Sequence, residues 1–154
     1  MYKNFGLILI ALFLLTSNTI FSQNVFFFTL NNLDFGDVYI GYSKIVNHTD
    51  AGAAKFRTYQ NRRNNPNVTI TFTLPSTLNN GSYTIPITFA STTSAYSLTD
   101  LPTGRTNFNP NSPLIMRLSR NRNLYLWLGG SINLPASIIP GIYSSTITVT
   151  IVVP

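Results

Sequence analysis

Two stretches of the chain alternate apolar and polar side chains with a period of two. Over residues 68–74, Val68, Ile70, Phe72 and Leu74 share one face, and Thr69, Thr71 and Thr73 the other. Over residues 145–153, Ile147, Val149, Ile151 and Val153 lie on one face, with Thr146, Thr148 and Thr150 on the other. Successive side chains of a strand leave opposite faces, so this alternation predicts strands with one wet and one buried side. Weaker versions over residues 25–30, 33–40, 55–59, 83–89, 95–99 and 124–128 predict further strands. Turn formers separate them: Asn31-Asn32, Asn64-Asn65-Pro66-Asn67, Asn79-Asn80-Gly81, Thr103-Gly104, Gly129-Gly130 and Pro140-Gly141. No helical period appears. The pattern predicts an all-β domain, a single immunoglobulin-like β-sandwich of about seven or eight strands. Residues 103–123 interrupt the rhythm with Pro110, Pro113 and a short apolar patch, Leu114-Ile115-Met116, and read as one long connection.

Composition sharpens the fold class. Of 154 residues, 44% are hydrophobic and only 9% charged, against roughly 25% charged in an average soluble protein. There are 18 Asn, 14 Ser and 19 Thr and no Glu, a mixture suited to strands and turns that excludes a helical bundle. The absence of cysteine excludes a disulfide framework, an iron–sulfur cluster, a Cys-ligated zinc and a lipoprotein anchor.

The amino-terminal stretch follows a different logic. Lys3 precedes an apolar run over residues 5–15, a polar stretch Thr16-Ser17-Asn18-Thr19, and then Ile20-Phe21-Ser22-Gln23. One positive charge, a short apolar run and a small residue before the cut predict a secretory signal peptide over residues 1–22. The run falls well short of the roughly 20 apolar residues of a membrane helix. A β-sandwich domain over residues 23–154 is expected after cleavage, with no stable membrane span. The length leaves no room for an added sorting domain, so export to the periplasm, outer membrane surface or extracellular space is expected.

Three motifs carry a resemblance. They are Leu33-Asp34-Phe35-Gly36-Asp37-Val38, the stretch Leu126-Trp127-Leu128-Gly129-Gly130-Ser131-Ile132-Asn133-Leu134-Pro135-Ala136, and Pro140-Gly141-Ile142-Tyr143-Ser144-Ser145-Thr146-Ile147-Thr148-Val149-Thr150. In this order they resemble a family of secreted bacterial β-sandwich domains of unknown function. That family is similar in turn to spore coat protein U and to chaperone–usher fimbrial subunits. The resemblance spans residues 33–153. It departs from the pattern at Ser145, where the family has Gly, and in lacking the disulfide common in fimbrial subunits. It implies a sandwich fold and an exported structural or interaction protein without catalysis. Beside it, Gly129-Gly130 suits positive φ and a close backbone approach, at a bulge or hairpin inside a strand. Pro140-Gly141 suits a type II turn before the last strand. Tyr143 suits a buried ring with its hydroxyl on a backbone partner.

Catalytic chemistry finds few candidates. The single histidine, His48, lies in the polar stretch Asn47-His48-Thr49-Asp50, and no Gly-x-Ser-x-Gly elbow accompanies it. Asp34 and Asp37 lack the further oxygen ligands that calcium takes, and read as turn and strand-end residues. No phosphate-binding loop or dinucleotide fingerprint is present. The Asn-x-Ser/Thr triplets at Asn47, Asn67 and Asn80 are no more than so Asn- and Thr-rich a chain yields by chance. The reading is no enzyme, no cofactor and no metal.

Basic residues are the more informative set. Arg105, Arg117, Arg120 and Arg122 lie in or beside the long connection, and Arg62-Arg63 in another loop. If both loops fall at one end of the sandwich, these residues form a patch for an anionic partner, an acidic glycan or lipopolysaccharide. Otherwise they form a solvated rim that keeps a low-charge protein soluble. Nucleic acid is disfavoured for an exported chain without interleaved basic and aromatic residues. Two functions follow. One is a cell-surface, fimbrial or coat-like subunit that joins like subunits by β-strand addition, with Val25, Phe26, Phe27, Phe28 and Leu30 as donor strand or as an ordinary first strand. The other is a lectin-like module that stacks sugars on Tyr59, Tyr125 or Trp127.

Overall fold

The computed structural model describes residues 25–61 and 63–154. The predicted signal peptide, residues 1–22, and Arg62 lie outside the described residues. In chain order the strands are β1 (Val25–Asn31), β2 (Ser43–Val46), β3 (Ala54–Gln60), β4 (Asn67–Thr73), β5 (Thr77–Asn79), β6 (Thr84–Thr88), β7 (Ser94–Ser97), β8 (Thr106–Asn107), β9 (Leu114–Arg117), β10 (Asn123–Leu128), β11 (Gly130–Asn133) and β12 (Thr148–Val152). A single 3-10 turn, Ser91–Thr93, is the helical element among the described residues.

The strands form three antiparallel sheets, ordered β1-β3-β10-β7-β8, β2-β11-β6-β5 and β12-β4-β9. The first and third sheets face each other. Ala54 and Phe56 of β3 and Leu124, Leu126 and Leu128 of β10 meet Val68, Ile70 and Phe72 of β4, closed by Phe108 and Leu118. The second sheet has its own core of Ile85, Ile87, Ile132, Leu134 and Ile138. Leu33 and Phe89 pack against both cores and tie them together. The fold is an all-β, sandwich-like arrangement.

Alternation in the sequence translates directly into burial where a strand has one dry face. In β3, Ala54, Phe56, Thr58 and Gln60 are buried, and Lys55, Arg57 and Tyr59 are only half-buried on the outer face. In β12, Thr148, Thr150 and Val152 are exposed, and Val149 and Ile151 turn inward against the first core, with Ile147 and Val153 beside them. This is the register that the Thr/Ile/Val alternation predicts.

Other expectations meet a different outcome. Residues 33–40 form no strand: Leu33, Phe35 and Val38 plug into the second core, and Asp34 N–H donates to Gly52 O at 2.8 Å outside any ladder. The long connection 103–123 carries two short strands, β8 and β9, because Leu114 and Met116 have the first core to pack against. Gly129 has no positive φ. It stands between β10 and β11, where the chain passes from the first sheet to the second, and a Cβ there would fall on the carbonyl oxygen of Val46 and lie 2.9 Å from that of Thr93. Close approach, not turn geometry, requires that glycine. Gly141 also lacks the positive φ that the second central position of a type II turn takes. Tyr143 does follow expectation: its half-buried ring packs on the second core and its hydroxyl donates to Ile139 O at 2.8 Å.

Candidate functional site

Strands β3 and β10 run antiparallel, with Asn123 opposite Tyr59 and Leu128 opposite Ala54. Their two ends, about 20 Å apart at a strand rise of about 3.3 Å per residue, gather different chemistry. At the Gln60 end, loop 61–66 meets the turn 118–122. Gln60 joins them: its side chain is 2% exposed, and its Nε2 donates to Asn64 O and Leu118 O, each at 3.2 Å. Asn121 N–H donates to Gln60 O at 2.8 Å, and Arg120 N–H to the Asn65 side-chain oxygen at 3.0 Å. A buried amide with its donors satisfied is a strong local constraint, since loss of the buried bond to Leu118 O would leave donor and acceptor unpaired away from water.

This clasp collects the cations. Arg63, Arg120 and Arg122 are exposed on the two loops, and Arg117 is exposed at the end of β9, opposite Asn67. Arg117 Nε donates to Asn65 O at 3.4 Å and Arg120 Nε to Asn61 O at 3.3 Å. No other guanidinium nitrogen of Arg117 or Arg120 is bonded within the described chain. Neither loop contains a carboxylate. The structure thus brings Arg63, Arg117, Arg120 and Arg122 to one end, with Arg62 in the same loop but outside the described residues.

Arg105 is not among them. It sits at the Ala54 end, its guanidinium 3.7 Å from the centre of the Trp127 ring. Its Nε donates to Leu101 O at 3.0 Å and its Nη1 to His48 O. Burial pulls its pKa below the ordinary arginine range and the charge of Asp100 opposes that pull, but arginine remains cationic throughout. His48 lies in the turn after β2 with its Nδ1 buried and unpartnered. Burial first, then the charge of Arg105, lower its pKa below 6.5, against opposing effects of Asp50 and a backbone hydrogen bond. Asp50 Oδ2 accepts from Asn47 N–H at 2.8 Å, Asp34 Oδ1 accepts from Gly36 N–H at 2.8 Å, and Asp100 pairs with Lys55. These carboxylates hold turns and one lysine in place. Among the described residues no cluster of three metal-ligating side chains occurs, and no helix is long and apolar enough to cross a membrane.

The outer face of the first sheet is aromatic and cationic. Phe26 of β1 stacks on Tyr59 at 4.9 Å between ring centres, Phe28 on Tyr59 at 6.1 Å, and Tyr125 on Trp127 at 5.9 Å. Lys55 lies 5.7 Å from the Tyr125 ring, and Arg57 lies 4.8 Å from Phe28. Of the sugar-stacking candidates, Trp127 is buried at 4% exposure beneath Arg105, while Tyr59 and Tyr125 are half-buried against neighbouring rings. The donor-strand candidates Val25, Phe26, Phe27, Phe28 and Leu30 lie in β1, which completes the chain's own sheet by pairing with β3 from Val25↔Gln60 to Asn31↔Lys55. It remains an edge strand, with Phe27, Phe28 and Leu30 exposed. Sequence reasoning passed over Gln60, Lys55 and Arg57. The alternation over residues 55–59 held the signal for the last two, which share the Tyr59 face. Nothing local marks Gln60, whose partner Leu118 lies 58 residues away.

Compared with protein-family models and with curated proteins, the chain matches none.

Proposed function

We propose that the protein is an exported, non-catalytic interaction module of the cell surface, and that its arginine end binds an acidic polysaccharide. The observation that carries this reading is the gathering of Arg63, Arg120 and Arg122 on two loops clasped by Gln60, with Arg117 beside them at the end of β9 and no carboxylate on either loop. Like charges held together without counter-charge repel one another, and a polyanion relieves that repulsion. Arginine suits the task because its planar fork meets carboxylate or sulfate oxygens in pairs. The signal-peptide pattern and the resemblance to exported sandwich domains support the location.

The test is isothermal titration of the processed protein with oligogalacturonate at low salt. Replacing Arg117, Arg120 and Arg122 together by Gln is expected to weaken binding by on the order of tenfold or more, at about 0.5–1 kcal/mol for each exposed charge contact. The dependence of affinity on salt should flatten at the same time. Failure of the parent protein to bind any acidic polysaccharide at low salt ends this reading.

A second reading rests on the free edge of β1. Its outer edge, unpaired among the described residues, and exposed Phe27, Phe28 and Leu30 suit addition of a neighbour's strand, which makes like subunits in a surface assembly the alternative partners. Donation of β1 itself would break its pairing with β3, whereas addition at its free side breaks none. Size exclusion at rising concentration tests it: Phe28→Lys should abolish self-association if the edge is used, and a monomer at every concentration counts against assembly.

A further inference from the structure

We infer that the binding surface does not stop at the arginine end but continues along the outer face of β3 and β10, with Arg57 receiving the carboxylate of an acidic pyranose ring; this rests on the polysaccharide reading above. Arg57 is the cation of that face left without a counter-charge. Lys55, two positions earlier on the strand, is paired with Asp100, and Arg105 is bonded to the carbonyls of His48 and Leu101. Arg57 Nε is buried without an acceptor, whereas its two terminal Nη groups are neither shut off from water nor bonded within the described chain. Those two nitrogens are the donors that a ligand carboxylate can reach.

The surroundings select the ligand. The Arg57 guanidinium lies 4.8 Å from the centre of the Phe28 ring and 5.9 Å from that of Tyr59. Register sets Phe28 of β1 and Tyr125 of β10 directly opposite Arg57 on either side. Phe28 is 38% exposed, so an apolar surface adjoins the charge. A carboxylated pyranose presents both matching features, an anionic group on the ring rim and an apolar C–H face. The next residue toward the arginine end on each strand's outer face is Tyr59 or Asn123, followed by the loops with Arg63, Arg120 and Arg122. The path is therefore lengthwise along the strand pair, with charge at both ends of a short aromatic stretch.

The experiment uses oligogalacturonate as probe, with neutral dextran and single-stranded DNA as comparison ligands, on the parent protein and three variants. Arg57→Gln is expected to weaken oligogalacturonate binding roughly tenfold, as loss of one charge-assisted, forked contact does. Arg57→Lys, which keeps charge but not the fork, should restore only part of it. Phe28→Ala, at the sheet edge, keeps the Arg57 charge but removes the ring beside it and should also weaken binding. Thermal unfolding of each variant separates loss of contact from loss of fold. If Arg117, Arg120 and Arg122 prove necessary while Arg57→Gln and Phe28→Ala bind as the parent does, the extended track is wrong and the arginine-end reading stands. If single-stranded DNA binds as tightly and loses the same factor with Arg57→Gln, the assignment to a sugar acid is overturned. If the parent binds no oligogalacturonate, both readings fall together.

Discussion

At the Ala54 end of β3, Arg105 lies over the Trp127 ring and donates to two main-chain carbonyls, while Lys55 pairs with Asp100. At the Gln60 end, Arg117 and Arg120 each reach one loop carbonyl through Nε at 3.3–3.4 Å and leave their remaining nitrogens outward. The residue type is the same and the roles differ. What separates them is the supply of partners: the first end offers an indole face, loop carbonyls and a carboxylate, and the second offers loop carbonyls alone. An arginine that lies over a ring and has donors engaged acts as a cover on the outer face of the sheet. One with free donors in a like-charged group acts on solvent or on a ligand.

The largest expected effect breaks the locked end altogether. Gly129 stands beside it, with its N–H donating to Thr93 O at 2.9 Å and no room for a Cβ against the Val46 carbonyl. Gly129→Val is therefore expected to cost on the order of 3 kcal/mol or more, through displaced backbone in a packed region. Chemical denaturation should show a large fall in midpoint or no folded protein. A midpoint near the parent's would mean that the crossing from β10 to β11 relaxes freely.

Next in size is the contrast between the arginines themselves. Arg105→Ala removes the cation over Trp127 and two hydrogen bonds, an expected loss of about 1–2 kcal/mol. Arg120→Ala with Arg122→Ala, at exposed positions, should change stability by about 0.5 kcal/mol or less. It should raise rather than lower stability at low salt, because like charges are removed. Equal losses in the two variants, measured by thermal unfolding at matched pH, would erase the distinction between lid and binding surface.

The smallest effect is a pH dependence confined to the locked end. The folded state holds His48 below its ordinary pKa of 6.5, so the unfolded chain binds that proton more readily. The stability this contributes is complete above about pH 6.5 and is lost as the pH falls through that value toward the lower folded pKa. The unfolding temperature should therefore decline modestly on acidification from about pH 7.5 to 5. His48→Asn should flatten that decline, and Arg105→Gln should lessen it by removing a repelling charge. A profile unchanged in both variants would show that His48 is indifferent to folding.

How much of this was legible in the chain differs from residue to residue. The Thr/Ile/Val alternation of the last strand states its own register, because burial of one face is a local, period-two property. The face shared by Lys55, Arg57 and Tyr59 was legible in the same way. By contrast, Leu33, Phe35 and Val38 look like a strand and are an unpaired plug, since alternation reports which side chains are dry and not whether the backbone has a ladder partner. Leu114 and Met116, flanked by Pro113 and exposed arginine, look like loop and become β9 because β4 offers a free edge.

The sequence by itself determined the fold class: little charge, no cysteine, no helical period and repeated two-residue alternation leave strands around a dry interior as the way to bury this chain. It also determined that its basic residues outnumber its carboxylates. Only the tertiary structure decided which arginines share an end. That depends on the order β1-β3-β10-β7-β8, on the antiparallel sense of β3 and β10, and on a buried Gln60 bonded to Leu118 across 58 positions. Local pattern carries which face a residue shows. It does not carry which distant segment will stand beside it, because that is settled by long-range pairing and packing, and those set Arg105 on an indole and gave Arg117 and Arg120 one loop carbonyl each.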